Sequence, residues 1–153
     1  MALVWEKTAV DRETAFEQIL EAFQAVADTI VSVTEVPAPD RGLDSDLLTV
    51  YPLGDPHLGM LSWAPETGCD FDLEIASRNL LAAADWLVEK APASDTAIVL
   101  NLGDFFHSDN QSNRTSRAGH ALDVDSRWAK IMQAGVGVMW RVIERALKKH
   151  ANV

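Results

Sequence analysis

Two short motifs carry the residue types with which this chain could do chemistry: residues 55–59 (Asp-Pro-His-Leu-Gly) and residues 103–107 (Gly-Asp-Phe-Phe-His). Each follows a hydrophobic run typical of a β-strand, 47–53 before the first motif and 96–102 before the second, with a helical pattern between them. Parallel strands connected in this way deliver their loops to one edge of a sheet, where ligands bind. Two carboxylates and two imidazoles at such an edge suit a divalent metal ion, and they predict metal-dependent hydrolysis.

Composition limits the fold class and the partners. At 153 residues, of which 48% are hydrophobic, the chain has the size of one domain with a substantial core. Its net charge of −10 disfavours non-specific attraction to a polyanion. The single cysteine, Cys69, excludes an intramolecular disulfide framework and fits a reducing compartment. The sequence shows neither a signal-peptide pattern nor a run of about 20 apolar residues, so we expect a cytoplasmic protein with no membrane partner.

The patterning predicts an α/β fold with an N-terminal helical extension. Residues 1–45 form the extension, in which an amphipathic helix ends near Ile30, a short strand covers 31–36 and a proline-rich breaker covers 37–42. Residues 46–153 follow the order strand, loop, helix, strand, loop, helix, which is typical of a right-handed βαβ unit.

Within that second section, one helix is predicted from Asp72 to Lys90 and another from Asp123 to His150. Residues 58–69 and 108–120 lack periodicity, and we expect both to be loops. Two glycines interrupt the last helix, each at a cost of about 1 kcal/mol relative to alanine, and close packing against a neighbour would explain them. These glycines are Gly135 and Gly137.

The two motifs together resemble the signatures of the calcineurin-like metallophosphoesterases. The family's Asp-x-His after the first strand is matched by Asp55 and His57, and its Gly-Asp-x-x-Asp/His after the next strand by residues 103–107. The resemblance covers about residues 46–153 and is greatest to the DNA-repair exonuclease branch. It implies a partial metallophosphoesterase sheet sandwich, the βαβα half of that fold. For the complete protein it implies a phosphate ester or nucleic acid as substrate.

The resemblance also implies a role for each motif residue. Asp55 and His57 would bind a first metal ion, and Asp104 would bridge it to a second, since one carboxylate can hold two cations. His107 would be catalytic, beside the metal ions and in contact with the substrate phosphate. The expected metal is manganese, with zinc, iron and magnesium as alternatives.

Two arginines in the polar loop, Arg114 and Arg117, could contact phosphate through bidentate hydrogen bonds. The alternative interpretation is that both are solvated. Asp55 and His57 likewise could be a turn aspartate and a surface histidine, and His107 could bind only its own loop backbone.

The sequence departs from the family in one respect that bears on activity. The third family signature, Gly-Asn-His-Asp/Glu, and the later histidine motifs have no match. Residues 151–153 resemble the opening of the next strand, so the motif pattern predicts the N-terminal half of a catalytic domain, truncated before the third metal motif. An incomplete two-metal site and negligible activity of this polypeptide alone are the expected consequences. Whether such a chain is naturally short or cut from a longer one stays open.

A second function class competes with the enzyme hypothesis. The chain could be a non-catalytic oligomerising or interaction protein, of a phage or prophage type, that retains half of the fold. An exposed sheet edge would then mediate the formation of a homo-oligomer.

Overall fold

The computed structural model describes residues 42–153 continuously and seven isolated positions between 16 and 39. Its elements, in chain order, are β1 (Asp44–Leu53), α1 (Ala64–Thr67), α2 (Leu73–Lys90), β2 (Ser94–Asn101) and α3 (Trp128–Leu147). The mixed α/β class predicted from the sequence is confirmed for this part of the chain. No helix in the described residues is long and apolar enough to cross a membrane.

The chain divides into two compact units, Met1–Ser32 and Val33–Val153. In the first unit the five described positions are helical, in agreement with the predicted amphipathic helix: Phe16, Glu17, Leu20, Glu21 and Gln24. Most of that helix, and nearly all of the predicted strand at 31–36 and breaker at 37–42, lie outside the described residues.

The second unit is built on a two-stranded parallel sheet. β1 and β2 pair in register from Leu48 opposite Thr96 to Leu53 opposite Asn101, and α2 connects them. Side chains alternate along each strand, as the pleat requires. Those of Tyr51, Leu53 and Ala97 are buried and form the inner face, against α2 and α3. The hydrophobic side chains of the outer face are exposed to 42–57% and are those of Leu48, Val50, Ile98 and Leu100.

The helix between the strands has the predicted bounds. The Asp72 carboxylate caps it by accepting a hydrogen bond of 2.7 Å from the Ile75 amide, which satisfies one of the free N–H groups of the first turn. The helix ends at Lys90, before Pro92, which cannot continue it.

The last helix was predicted to begin at Asp123, and this prediction is wrong by five residues. The backbone of 123–125 is extended and pairs with the segment after the first motif: the Leu61 amide donates to the Asp123 carbonyl and the Asp125 amide donates to the Gly59 carbonyl, both at 3.0 Å. These hydrogen bonds replace those of a helical turn, so α3 begins only at Trp128.

The two predicted loops also contain structure. Residues 58–69 include α1, a single turn with a proline in its first positions and a left-handed Gly68 at its end. Residues 113–122 form a hairpin-like turn in which Arg114 and Ala121 make an antiparallel bridge. Both structures are held by local backbone hydrogen bonds, which leave no hydrophobic periodicity in the sequence. The sequence pattern therefore does not predict them.

After α3 the chain returns to the sheet. Asn152 forms a parallel bridge with Thr96, and its carbonyl accepts a hydrogen bond of 2.8 Å from the Ala97 amide. Residues 151–153 were predicted to open the next strand, and the structure shows a single isolated bridge there, at Asn152.

A buried polar group fixes the end of α3 to the sheet. His150 is fully buried, its Nδ1 lies 2.8 Å from the Ser94 carbonyl oxygen and its Nε2 lies 2.6 Å from the Tyr51 hydroxyl. Because a carbonyl can only accept, Nδ1 carries the proton and Nε2 accepts from Tyr51. Burial raises the pKa of the Tyr51 hydroxyl, which keeps that donor protonated. His150 is therefore a structural residue.

The two glycines of α3 differ in their surroundings. A Cβ at Gly135 would lie 2.6 Å from Cζ of Phe106 and 3.2 Å from Cε1 of Phe105, whereas a Cβ at Gly137 would meet nothing within 4 Å. The expectation of close packing is confirmed at Gly135 and wrong at Gly137. Gly135 thus makes a notch in α3 that accepts the aromatic pair of the second motif.

Replacing each glycine by alanine tests this difference. We expect Gly135→Ala to lower the free energy of unfolding by about 1–3 kcal/mol, because overpacking outweighs the gain in helix propensity. Gly137→Ala is the matched control and should raise it by up to about 1 kcal/mol. Urea denaturation measures the free energy of unfolding of both variants. Equal stability of the two would contradict close packing of the aromatic pair against Gly135.

Candidate metal centre

The two motifs follow β1 and β2 directly, and the parallel pairing of the strands continues between them. The His57 amide donates to the Asp104 carbonyl at 3.0 Å, the Leu58 amide to the Phe105 carbonyl at 2.9 Å, and the His107 amide to the Leu58 carbonyl at 3.0 Å. These bonds satisfy backbone groups that a free loop would leave to water. The motif segments are therefore held side by side at the carboxyl edge of the sheet.

Three of the predicted site residues converge at this edge. Asp55, His57 and Asp104 each offer one ligand atom, and these three atoms all lie within 4.8 Å of one another. Both carboxylates are exposed and the imidazole is half-buried. Sequence reasoning had named these residues as metal ligands, and the fold brings them together.

The donor set fits a divalent ion. Three ligand atoms bound to one ion at about 2.1 Å lie about 3.0–3.6 Å apart, so pairs as wide as 4.8 Å would have to close by about 1–2 Å on binding. Exposed carboxylates have the side-chain freedom for such a change. Two carboxylates and one imidazole also match the mixed oxygen and nitrogen ligation of manganese, iron and zinc.

The backbone at this edge is strained. Asp55, His57 and Asp104 have φ angles of 48°, 45° and 46°, and only one other non-glycine residue in the described part of the chain, Asn113, has a positive φ. Each such residue costs about 1–2 kcal/mol relative to the right-handed region. A strained backbone conformation persists only where contacts with the surrounding structure hold it in place, and such conformations are concentrated at functional sites.

The hydrophobic core beneath the motifs supplies that support. Leu58 and Phe105, which lie inside the two motifs, belong to one buried cluster with Ile131 of α3. Gly59 has a φ of 91°, and a Cβ there would lie 2.6 Å from Cδ1 of Ile131. The first motif therefore needs glycine at this position for both its backbone conformation and its contact with α3.

His107 lies beside the donor group. Its Nδ1 is 3.5 Å from Nδ1 of His57, and the two rings meet edge to face with their centroids 5.4 Å apart. Burial lowers the pKa of His107, as does the neighbouring His57, while the Asp123 carboxylate acts in the opposite direction. A neutral imidazole at neutral pH is the result, and it can donate one hydrogen bond and accept another.

The two arginines predicted to contact phosphate lie in the hairpin-like turn. Arg114 donates a hydrogen bond of 2.8 Å from Nη1 to the Gly119 carbonyl, and its guanidinium thereby closes the turn. Arg117 is exposed in the same turn. No described contact links either arginine to the donor group, so their role in phosphate binding stays a prediction.

Sequence reasoning missed two carboxylates that lie beside the first motif. The Asp123 carboxylate acts on the pKa of His107, and Asp125 Oδ2 accepts a hydrogen bond of 3.1 Å from the Leu73 amide at the start of α2. The alternation of Leu122-Asp-Val-Asp125 is typical of an extended segment and could have revealed them. The sequence pattern instead predicts a helix over these residues, continuous with the one that begins at Trp128.

Comparison with models of protein families, with curated proteins and with solved structures finds no match to this chain.

Proposed function

We propose that the site at the carboxyl edge of the sheet binds a divalent metal ion and belongs to a metal-dependent phosphoesterase. One observation carries the proposal: the ligand atoms of Asp55, His57 and Asp104 lie within 4.8 Å of one another. The positive φ angles of all three residues support it, because strained backbone is concentrated at functional sites. The resemblance of both motifs to the calcineurin-like metallophosphoesterases gives the reaction class.

The chain's own residues have distinct roles in this proposal. Asp55 and His57 would hold a first ion, and Asp104 would bridge that ion to a second. When bound, a divalent ion would supply Lewis-acid activation of water and charge neutralisation at a phosphoryl group. His107, neutral and next to His57, would donate a hydrogen bond to a phosphate oxygen.

The substrate in this proposal is a phosphate ester, with a phosphodiester of nucleic acid favoured by the exonuclease-like motifs. The net charge of −10 opposes long-range attraction to such a substrate, so binding has to come from local groups. Manganese is the proposed metal, because oxygen and imidazole donors together suit it, and zinc, iron and magnesium are alternatives.

Metal binding tests the donor group directly. Isothermal titration with Mn²⁺ should give one weak site, because three donors leave half of an octahedral shell to water. Asp104→Ala should weaken binding at least tenfold, since it removes a carboxylate from the first coordination sphere. The matched control is Asp109→Ala, an exposed aspartate outside the donor group, which should bind Mn²⁺ like the unmodified chain. Absence of binding at millimolar Mn²⁺ would contradict the proposal.

Catalytic turnover is a separate test. Within the described residues, Asp55, His57 and Asp104 form the single group of three or more such donors, and a two-metal site needs more. We therefore expect this polypeptide to hydrolyse bis-p-nitrophenyl phosphate in Mn²⁺ no faster than its Asp104→Ala variant. Robust turnover that Asp104→Ala abolishes would show that three donors are sufficient.

A second candidate function is self-association without catalysis, and the outer face of the sheet favours it. Four hydrophobic side chains on that face are exposed to 42–57%: Leu48, Val50, Ile98 and Leu100. Parallel sheets are normally covered on both faces, and a contiguous apolar patch on a soluble protein often marks an interaction site.

Size-exclusion chromatography with light scattering tests self-association. On this second hypothesis the chain forms a dimer or larger oligomer at micromolar concentration, and Leu100→Lys returns it to the monomer by placing a charge in the interface. Leu61→Lys, at an exposed leucine outside the sheet, should leave the oligomer intact. A monomer at all concentrations would count against this function.

A further inference from the structure

A cleft of about 530 Å³ lies beside the segment that joins the hairpin-like turn to α3. Its volume falls within the range of small-molecule sites. Its walls combine amide, carboxylate, hydroxyl, guanidinium and indole groups with aliphatic ones, and they come from Gln111, Asn113, Val124, Asp125, Ser126, Arg127, Trp128 and Ala129.

The hydrogen-bonding groups of the cleft are largely unused. Among the described residues, the guanidinium of Arg127 has no ion-pair or hydrogen-bond partner, although Asp125 lines the same cleft. The Asp125 carboxylate instead accepts a hydrogen bond from the Leu73 amide at the start of α2. The side chains of Gln111 and Asn113 likewise make no hydrogen bond within the described part of the chain.

The cleft adjoins the candidate metal centre through the backbone. Val124, which lines the cleft, forms an antiparallel bridge with Met60, and Asp125 donates to the Gly59 carbonyl. Gly59 and Met60 are two and three residues beyond His57. A ligand in the cleft would therefore lie next to the first motif.

We propose that this cleft binds a nucleoside monophosphate unit, with the phosphate on Arg127 and the base between Trp128 and the two carboxamides. A guanidinium without a partner is suited to bidentate binding of phosphate. The carboxamides of Gln111 and Asn113 can pair with the edge of adenine, and an indole ring can stack on any base. This inference narrows the substrate of the proposed function from phosphate esters in general to a nucleotide chain. It rests on the proposed function in one respect, the position of the reacting bond. Binding in the cleft needs no metal.

Two-dimensional ¹H–¹⁵N NMR of the full chain without metal tests the proposal, with 5′-dAMP as the probe. We expect saturable shifts of the Trp128 indole signal, assigned through Trp128→Phe, and of backbone amides from Gln111 to Ala129. Inorganic phosphate and deoxyadenosine should each bind at least tenfold more weakly than dAMP, because each lacks half of the contacts. Arg127→Gln should weaken dAMP binding at least tenfold. Arg141→Gln, in a separate groove between α2 and α3, is the control and should leave it unchanged.

Other outcomes would overturn the proposal. Equal affinity for phosphate and dAMP would reduce the cleft to an anion site, and unchanged binding by Arg127→Gln would place the ligand elsewhere. Loss of metal-free dAMP binding in Asp104→Asn would move the ligand to the motif segments. If dAMP binds as expected but Mn²⁺ does not bind, the proposed function fails and the cleft assignment stands. If Mn²⁺ binds and dAMP does not, only the cleft assignment fails.

Discussion

Beyond the carboxyl ends of β1 and β2, hydrogen bonds from Leu58 to Phe105 and from His107 to Leu58 continue the parallel pairing of the two strands. This short ladder is what the rest of the site depends on. It fixes the separation of the two motif segments through backbone groups, whose geometry does not vary with side-chain rotamer. Asp55, His57 and Asp104 can therefore converge although the two motifs are more than 40 residues apart in the chain.

The ladder is stable because the helices bury its apolar side. Ile131 packs against Gly59 of the first motif, and the notch at Gly135 accepts Phe106 of the second. Both contacts come from α3, so one helix holds both motif segments against the core. The strain at three left-handed residues, about 1–2 kcal/mol each, is offset by this packing, since burial of a single large hydrophobic side chain contributes a similar amount. His150 anchors the far end of the same helix to Tyr51 and Ser94.

The two faces of the sheet have different roles. The inner face joins the helices into a core, and the carboxyl edge above it presents the donor group and the adjoining cleft. The outer face is apolar and exposed in the described part of the chain. The proposed ligand site and the exposed apolar face therefore lie on different parts of the sheet.

The sequence by itself determined the strands, the helix from 73 to 90 and the identity of the three donor residues, because these depend on local patterns: continuous apolar runs, an aspartate cap and acidic residues directly after strands. It did not determine where α3 begins, what residues 113–122 form, or that Arg127 lines a cleft while Arg114 closes a turn. The start of α3 and the lining of the cleft depend on backbone pairing between segments distant in the chain, 59–61 with 123–125, and a linear pattern carries no information on such pairing. The turn at 113–122 depends on pairing within the segment, which leaves no hydrophobic periodicity. Only the tertiary structure, by bringing those segments together, decided which side chains surround the motifs.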